Sequence, residues 1–250
     1  MSNALFNYTL RLGDGSLILA QRLSEWTGHG PFLEEDLALT NIALDTIGTA
    51  KSFLEYAVQI EGKGRTEDDL AFFRNEREFF NPLITEQPNG DYAKTMVRQL
   101  IMDVYHLYLY KELAKSKDAT LSGIAQKAIK EVMYHVRHSA SWTDRFGNGT
   151  EDSHQRAQQA LEELWPYTEE LFETTAAEKE LVAQGIAVDL NDIRSKWETH
   201  IDEVIRKANL VKPENVFMQR GSLDGVHTEH LGFLLAEMQH LPRMHPAAKW

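Results

Sequence analysis

Met96-Val-Arg-Gln-Leu-Ile-Met-Asp-Val-Tyr-His-Leu-Tyr-Leu-Tyr110 is the stretch on which the fold turns. It is mostly apolar, holds no glycine or proline, and predicts the middle of a long helix. Asp103 and His106 lie three residues apart near its centre. A carboxylate followed at that spacing by histidine is half of the ligand set of a di-iron four-helix bundle. That set takes a Glu from each of two helices and a Glu-x-x-His from each of the other two.

Working outward, apolar residues recur at helical spacing along nearly the whole chain. The predicted helices cover residues 4–26, 34–61, 68–74, 91–116, 120–146, 152–175, 189–208 and 225–241. Acidic Glu34-Glu35-Asp36 suit the positive end of the second helix. Gly28-His-Gly30-Pro31, Gly62-Lys-Gly64 and Gly147-Asn-Gly149 punctuate the pattern, and Asn81-Pro82 through Asn89-Gly90 reads as loop. No window alternates β-branched and polar residues, so no sheet is expected. Long amphipathic helices with a long second connection predict an all-α, ferritin-like four-helix bundle with additional flanking helices. No repeat or linker divides the chain, and a single ferritin-like domain over residues 1–250 is expected.

Composition narrows the function. Lys plus Arg is 26 and Asp plus Glu is 38, a formal net charge of -12. That argues against a broad nucleic-acid or anionic-membrane surface. There is no cysteine, which excludes disulfides, Cys-ligated metal and thiol nucleophiles. The first residues lack a basic region followed by an apolar run, and no run is long enough to cross a bilayer. A cytoplasmic protein is expected.

Three predicted helices place metal-ligand residues on one face each. The second offers Asp45, the third Asp103 with His106, and the fourth Glu131 with His135, followed by His138 and Trp142. The fifth should supply another Glu-x-x-His. Its glutamates at 162, 163, 169 and 170 are instead followed, three residues on, by Trp165, Pro166, Phe172 and Glu173. Asp is also one methylene shorter than Glu, about 1.5 Å of reach, in a site whose metal–oxygen bonds are near 2 Å. The five residues Asp45, Asp103, His106, Glu131 and His135 read as a hydrogen-bonded core network in preference to a functional metal site, which stays the alternative. Glu151-Asp-Ser-His154 and Glu237-Met-Gln-His240 repeat the spacing near helix ends and read as surface. His227 and His230 read as a polar helix start that contacts a partner. Gly13-Asp-Gly15 follows no strand and is not a phosphate loop.

Several strings carry a resemblance. They are Tyr8-Thr-Leu-Arg-Leu-Gly-Asp14, Asp36-Leu-Ala-Leu-Thr-Asn41 with Asp45, Glu86-Gln-Pro-Asn-Gly-Asp91, Lys127-Ala-Ile-Lys-Glu131 with Tyr134-His135, Gly147-Asn-Gly-Thr150, and His227-Thr-Glu-His-Leu-Gly232 through Leu235-Ala-Glu-Met-Gln239. In order and over nearly the whole chain, they resemble the C subunits of the multicomponent bacterial 1,2-phenylacetyl-CoA epoxidases. The resemblance implies a ferritin-like fold and a non-catalytic structural role beside a paralogous A subunit that carries the di-iron centre. With it, Asp45, Asp103, His106, Glu131 and His135 become a vestigial set, and no metal, cofactor or catalytic residue is expected in this chain. It also implies a B subunit and a flavin/Fe–S reductase in a complex that forms the ring 1,2-epoxide during aerobic phenylacetate breakdown. A homodimer is possible for the chain alone. The N-terminal helix and the segment His227–Gln239 are the expected docking surface. Two readings of other classes stand beside this one: an active di-metal oxidase or oxygenase using the five residues above, and an adaptor with no oxygenase partner.

Overall fold

The computed structural model of the chain describes residues 2–246 and 248. They form ten α-helices and no strand: α1 (Ser2–Ser24), α2 (Leu33–Glu61), α3 (Glu67–Phe72), α4 (Leu83–Glu86), α5 (Tyr92–Leu113), α6 (Ala119–Gly147), α7 (Glu151–Leu164), α8 (Ala176–Ala183), α9 (Leu190–Lys207) and α10 (Glu229–Met244). The all-α expectation holds. No described helix is long and apolar enough to cross a membrane. The chain divides into two compact units. One joins residues 1–88 to 221–250, and the other is the continuous stretch 89–220.

In the first unit α1 and α2 pack along their length. Gly13 allows the approach, since a Cβ there would lie 2.8 Å from Leu54 Cδ2. Leu10, Leu17 and Ile18 of α1 meet Ala50, Leu54 and Ala57 of α2. Leu70, Phe79 and the α10 residues Leu231, Leu234 and Leu235 complete this core. In the second unit α5 is buried along most of its length and packs against α6, α7 and α9. Trp197 of α9 donates its indole N–H to the Ile101 carbonyl at 3.0 Å, so even the backbone of α5 is gripped from the side.

Three boundaries differ from the sequence reading. The segment expected as loop between Asn81 and Gly90 contains the helical turn α4, whose four residues are all buried. The helix expected over 152–175 ends at Leu164. Pro166 lies in a 3-10 turn, Trp165–Tyr167, a second turn covers Glu169–Phe172, and α8 then starts afresh behind a Thr175/Glu178 capping box. Pro166 cannot donate the backbone hydrogen bond that a continuing helix needs. The last helix begins at Glu229 rather than Gly225, because Gly225 takes a left-handed φ of 66° that a right-handed helix excludes.

Candidate functional site

The expected ligand residues fall in both units. Asp45 is half-buried on α2 of the first. Asp103, His106, Glu131 and His135 all belong to the second, on α5 and α6. Asp103, His106 and His135 are buried, and Glu131 is half-buried. Among the described residues, no three His, Asp or Glu side chains are grouped so as to hold a metal ion.

Asp103 is instead tied into the packing of α5 on α6. Its Oδ2 lies 2.8 Å from Ser139 Oγ, and its Oδ1 lies 3.4 Å from Gln99 Nε2. Burial pushes the carboxyl up to about 8, against the opposing pull of Ser139 and Arg98. Asp103 therefore keeps its proton at neutral pH. Ser139 Oγ donates to Asp103 Oδ2 and also lies 3.0 Å from the His135 carbonyl, so its one hydroxyl proton is divided between two acceptors.

His106 is held neutral. Burial lowers it to about 3, and His135 pushes in the same direction. Its ring lies flat on Tyr110, with centroids 5.3 Å apart and planes 4° apart. In this arrangement both Asp103 oxygens are engaged by Gln99 and Ser139.

The first unit holds a polar cluster that sequence reasoning missed. Asp14 is fully buried on α1, and Arg74 Nη1 donates to its Oδ2 at 3.0 Å while Nη2 donates to Oδ1. The Phe80 amide donates to the same carboxylate at 3.0 Å. Burial raises the Asp14 carboxyl above its ordinary value, and the Arg74 charge works against that. Glu86, at the end of α4, is buried too. It accepts from the Thr228 amide at 2.6 Å, the Thr228 hydroxyl at 2.7 Å and Asn81 Nδ2 at 3.0 Å. Its carboxylate thus sits at the start of α10, where the helix dipole favours negative charge.

His227 completes this cluster. Its Nδ1 is 2.9 Å from Glu86 Oε2, and its Nε2 is 2.8 Å from the Phe79 carbonyl. A carbonyl oxygen only accepts, so Nε2 carries a proton. The expectation that His227 contacts a partner is corrected, because its side chain is fully buried. Gln239 is also turned inward, donating to the Ala71 and Arg74 carbonyls at 3.1 and 3.0 Å. Between them only Glu229, Phe233, Ala236 and Glu237 are fully exposed.

The remaining candidates are structural or superficial. His154 Nδ1 lies 2.8 Å from the Gly147 carbonyl, which ties the start of α7 to the end of α6. Glu237 and His240 are exposed, as expected of a surface pair. The signal for the missed cluster was present in the resemblance strings, since Asp14, Glu86 and His227 stand in three of them. Their common burial needed the fold.

Comparison with known proteins gives the same direction throughout the chain. The family described as phenylacetic acid catabolic protein, PaaA_PaaC, matches residues 1–250. The chain is 49% identical over 248 residues to the C subunit of the 1,2-phenylacetyl-CoA epoxidase of Escherichia coli (strain K12), covering 99% of this chain and 100% of that protein.

Proposed function

Because the chain belongs to the phenylacetic acid catabolic protein family, we propose that it is the non-catalytic, structural subunit of a multicomponent phenylacetyl-CoA 1,2-epoxidase. In this reading it supports a paralogous A subunit that carries the di-iron centre, in a complex with a B subunit and a reductase. Its role is to hold the shape of the catalytic chain during aerobic phenylacetate breakdown. The observation that carries the reading is the placement of Asp103. Both of its oxygens are engaged by Gln99 and Ser139, which supports packing of α5 on α6.

The alternative of a di-metal oxidase built on Asp45, Asp103, His106, Glu131 and His135 has less support, because these side chains form no metal-holding group. Anaerobic iron loading of the purified protein, followed by elemental analysis and an optical spectrum, tests the choice. The expected result is no stoichiometric iron. About two irons per chain with a di-iron absorption band would overturn the structural-subunit reading. Gel filtration with the purified A subunit tests the partnership. Co-elution at micromolar concentration is expected, and separate peaks would remove the partner.

A further inference from the structure

The solvent-facing side of α6 gathers cations on one face of a strongly acidic chain. Elsewhere the exposed Lys51, Arg156, Lys196 and Lys207 each lie beside a carboxylate. Lys127, Lys130, Arg137 and Arg145 of α6 are all exposed, and none forms an ion pair with a described residue. At 100° per residue, consistent with 3.6 residues per turn, they share one face with Tyr134 and His138. Glu131 and Asp144 are the acidic residues beside that face, half-buried and exposed respectively.

Large side chains lie among these cations. Tyr134 is 42% exposed and Met133 is 53% exposed. Tyr134 and His138 have ring centroids 6.1 Å apart. Trp142 is braced by Tyr92 at 5.2 Å and Phe146 at 5.4 Å, and the Arg145 guanidinium lies 5.0 Å above its ring. Aromatic residues, methionine and arginine are the types enriched where protein partners bind, and tyrosine, tryptophan and arginine dominate binding hot spots. Here they are presented on the rigid backbone of one helix, which has little conformational freedom of its own to lose on docking.

From this juxtaposition we propose that the α6 face is a docking surface for an acidic surface on another protein chain. The cations are spread along about 27 Å of helix, at about 1.5 Å per residue. A small anion needs donors that converge, and these do not. A nucleic acid would meet the repulsion of a chain with a net charge of -12. An acidic protein face supplies charge locally, and its aliphatic parts cover Met133 and Tyr134. That the partner is a chain of the epoxidase rests on the reading above. The surface and its charge preference do not.

The test uses the full-length protein with purified A and B subunits as probes, each titrated at 50 mM and 300 mM salt. The variant Arg137→Glu/Arg145→Glu reverses two charges on the face. Lys179→Glu/Arg206→Glu makes the same charge change on α8 and α9. Tyr134→Ala removes the apolar anchor and leaves the charges. Circular dichroism and melting confirm that each variant is folded. The expected result is that one subunit binds wild type with a salt-dependent affinity. The α6 double variant should lose at least tenfold in affinity and most of the salt dependence, and the control variant should change less than threefold. Tyr134→Ala should weaken binding with its salt dependence intact. Binding unaltered by the α6 double variant overturns the docking surface and leaves the subunit reading standing. Wild type binding neither subunit overturns that reading and this proposal together. Tight binding of a single-stranded RNA oligonucleotide that the α6 variant abolishes would overturn the choice of partner.

Discussion

Asp103 Oδ2 on α5 and Ser139 Oγ on α6 lie 2.8 Å apart in a buried site where the carboxyl holds its proton to about pH 8. A bundle seam is thus closed by a neutral acid, and its stability depends on pH. The folded pKa is raised above the unfolded value of 3.8, so the contribution is fully present below about pH 4 and is lost as pH rises toward 8. His106 has the opposite sign. Its folded value near 3 lies below the ordinary 6.5, so its contribution is lost as pH falls from 6.5 toward 3. The two slopes oppose each other between about pH 4 and 6.5, and above that Asp103 alone makes stability fall as pH rises toward 8.

Asp103→Asn should flatten that decline. Asparagine still bonds Ser139 and has no proton to lose. Urea titrations of wild type and variant at pH 6.5 and 8 give the difference. Parallel losses of stability in both proteins would show that Asp103 is ionised in the fold.

Glu86→Gln should loosen the start of α10. The amide cannot accept on both ends, so Thr228, Asn81 or His227 loses its acceptor. A loss of about 1–3 kcal/mol is expected. Hydrogen exchange at the Thr228 amide is the direct measurement. Protection equal to wild type contradicts the assignment.

Arg74→Met should cost about 3–5 kcal/mol, because it strands the buried Asp14 carboxylate. The double variant Asp14→Leu/Arg74→Met should recover most of that loss. A double variant no more stable than Arg74→Met alone would mean that the pair is not coupled.

Gly147→Ala should destabilise the second unit. The new Cβ would stand 1.9 Å from the Ala208 carbonyl oxygen at the end of α9. Backbone cannot move aside as a flexible side chain does, and a loss of about 1–3 kcal/mol is expected. The same change at Gly123 meets nothing within 4 Å and should be neutral or slightly stabilising, which makes it the internal control for a melting series.

The helical class was legible because periodicity survives without tertiary knowledge. The long helices α2, α5 and α6 fall within a few residues of their expected ends. Helix breaks set by backbone geometry were less legible. Pro166 was visible, yet a proline near an apolar run does not say whether the helix bends or stops. That no glutamate between 152 and 175 is followed three residues on by histidine is a matter of spacing alone. The buried network of Asp14, Arg74, Glu86 and His227 was not, because its members are far apart in sequence and no periodicity links them. A glycine-flanked histidine also looks the same whether it faces a partner or a carboxylate.

The bond between Glu86 and His227 spans 141 residues, while residues 89–220 form a continuous unit between them. Synthesis on the ribosome runs from the N-terminus, so the second unit has all of its own sequence before α10 exists. The first unit does not. Its helices α1 and α2 emerge early and must wait, with Glu86 still lacking Thr228 and His227, until α10 arrives. Closing so long a loop is also slow. The vulnerable species in the life of this chain is therefore a nascent one, and a premature stop before Thr228 should leave a folded centre with an N-terminal half that a protease can digest.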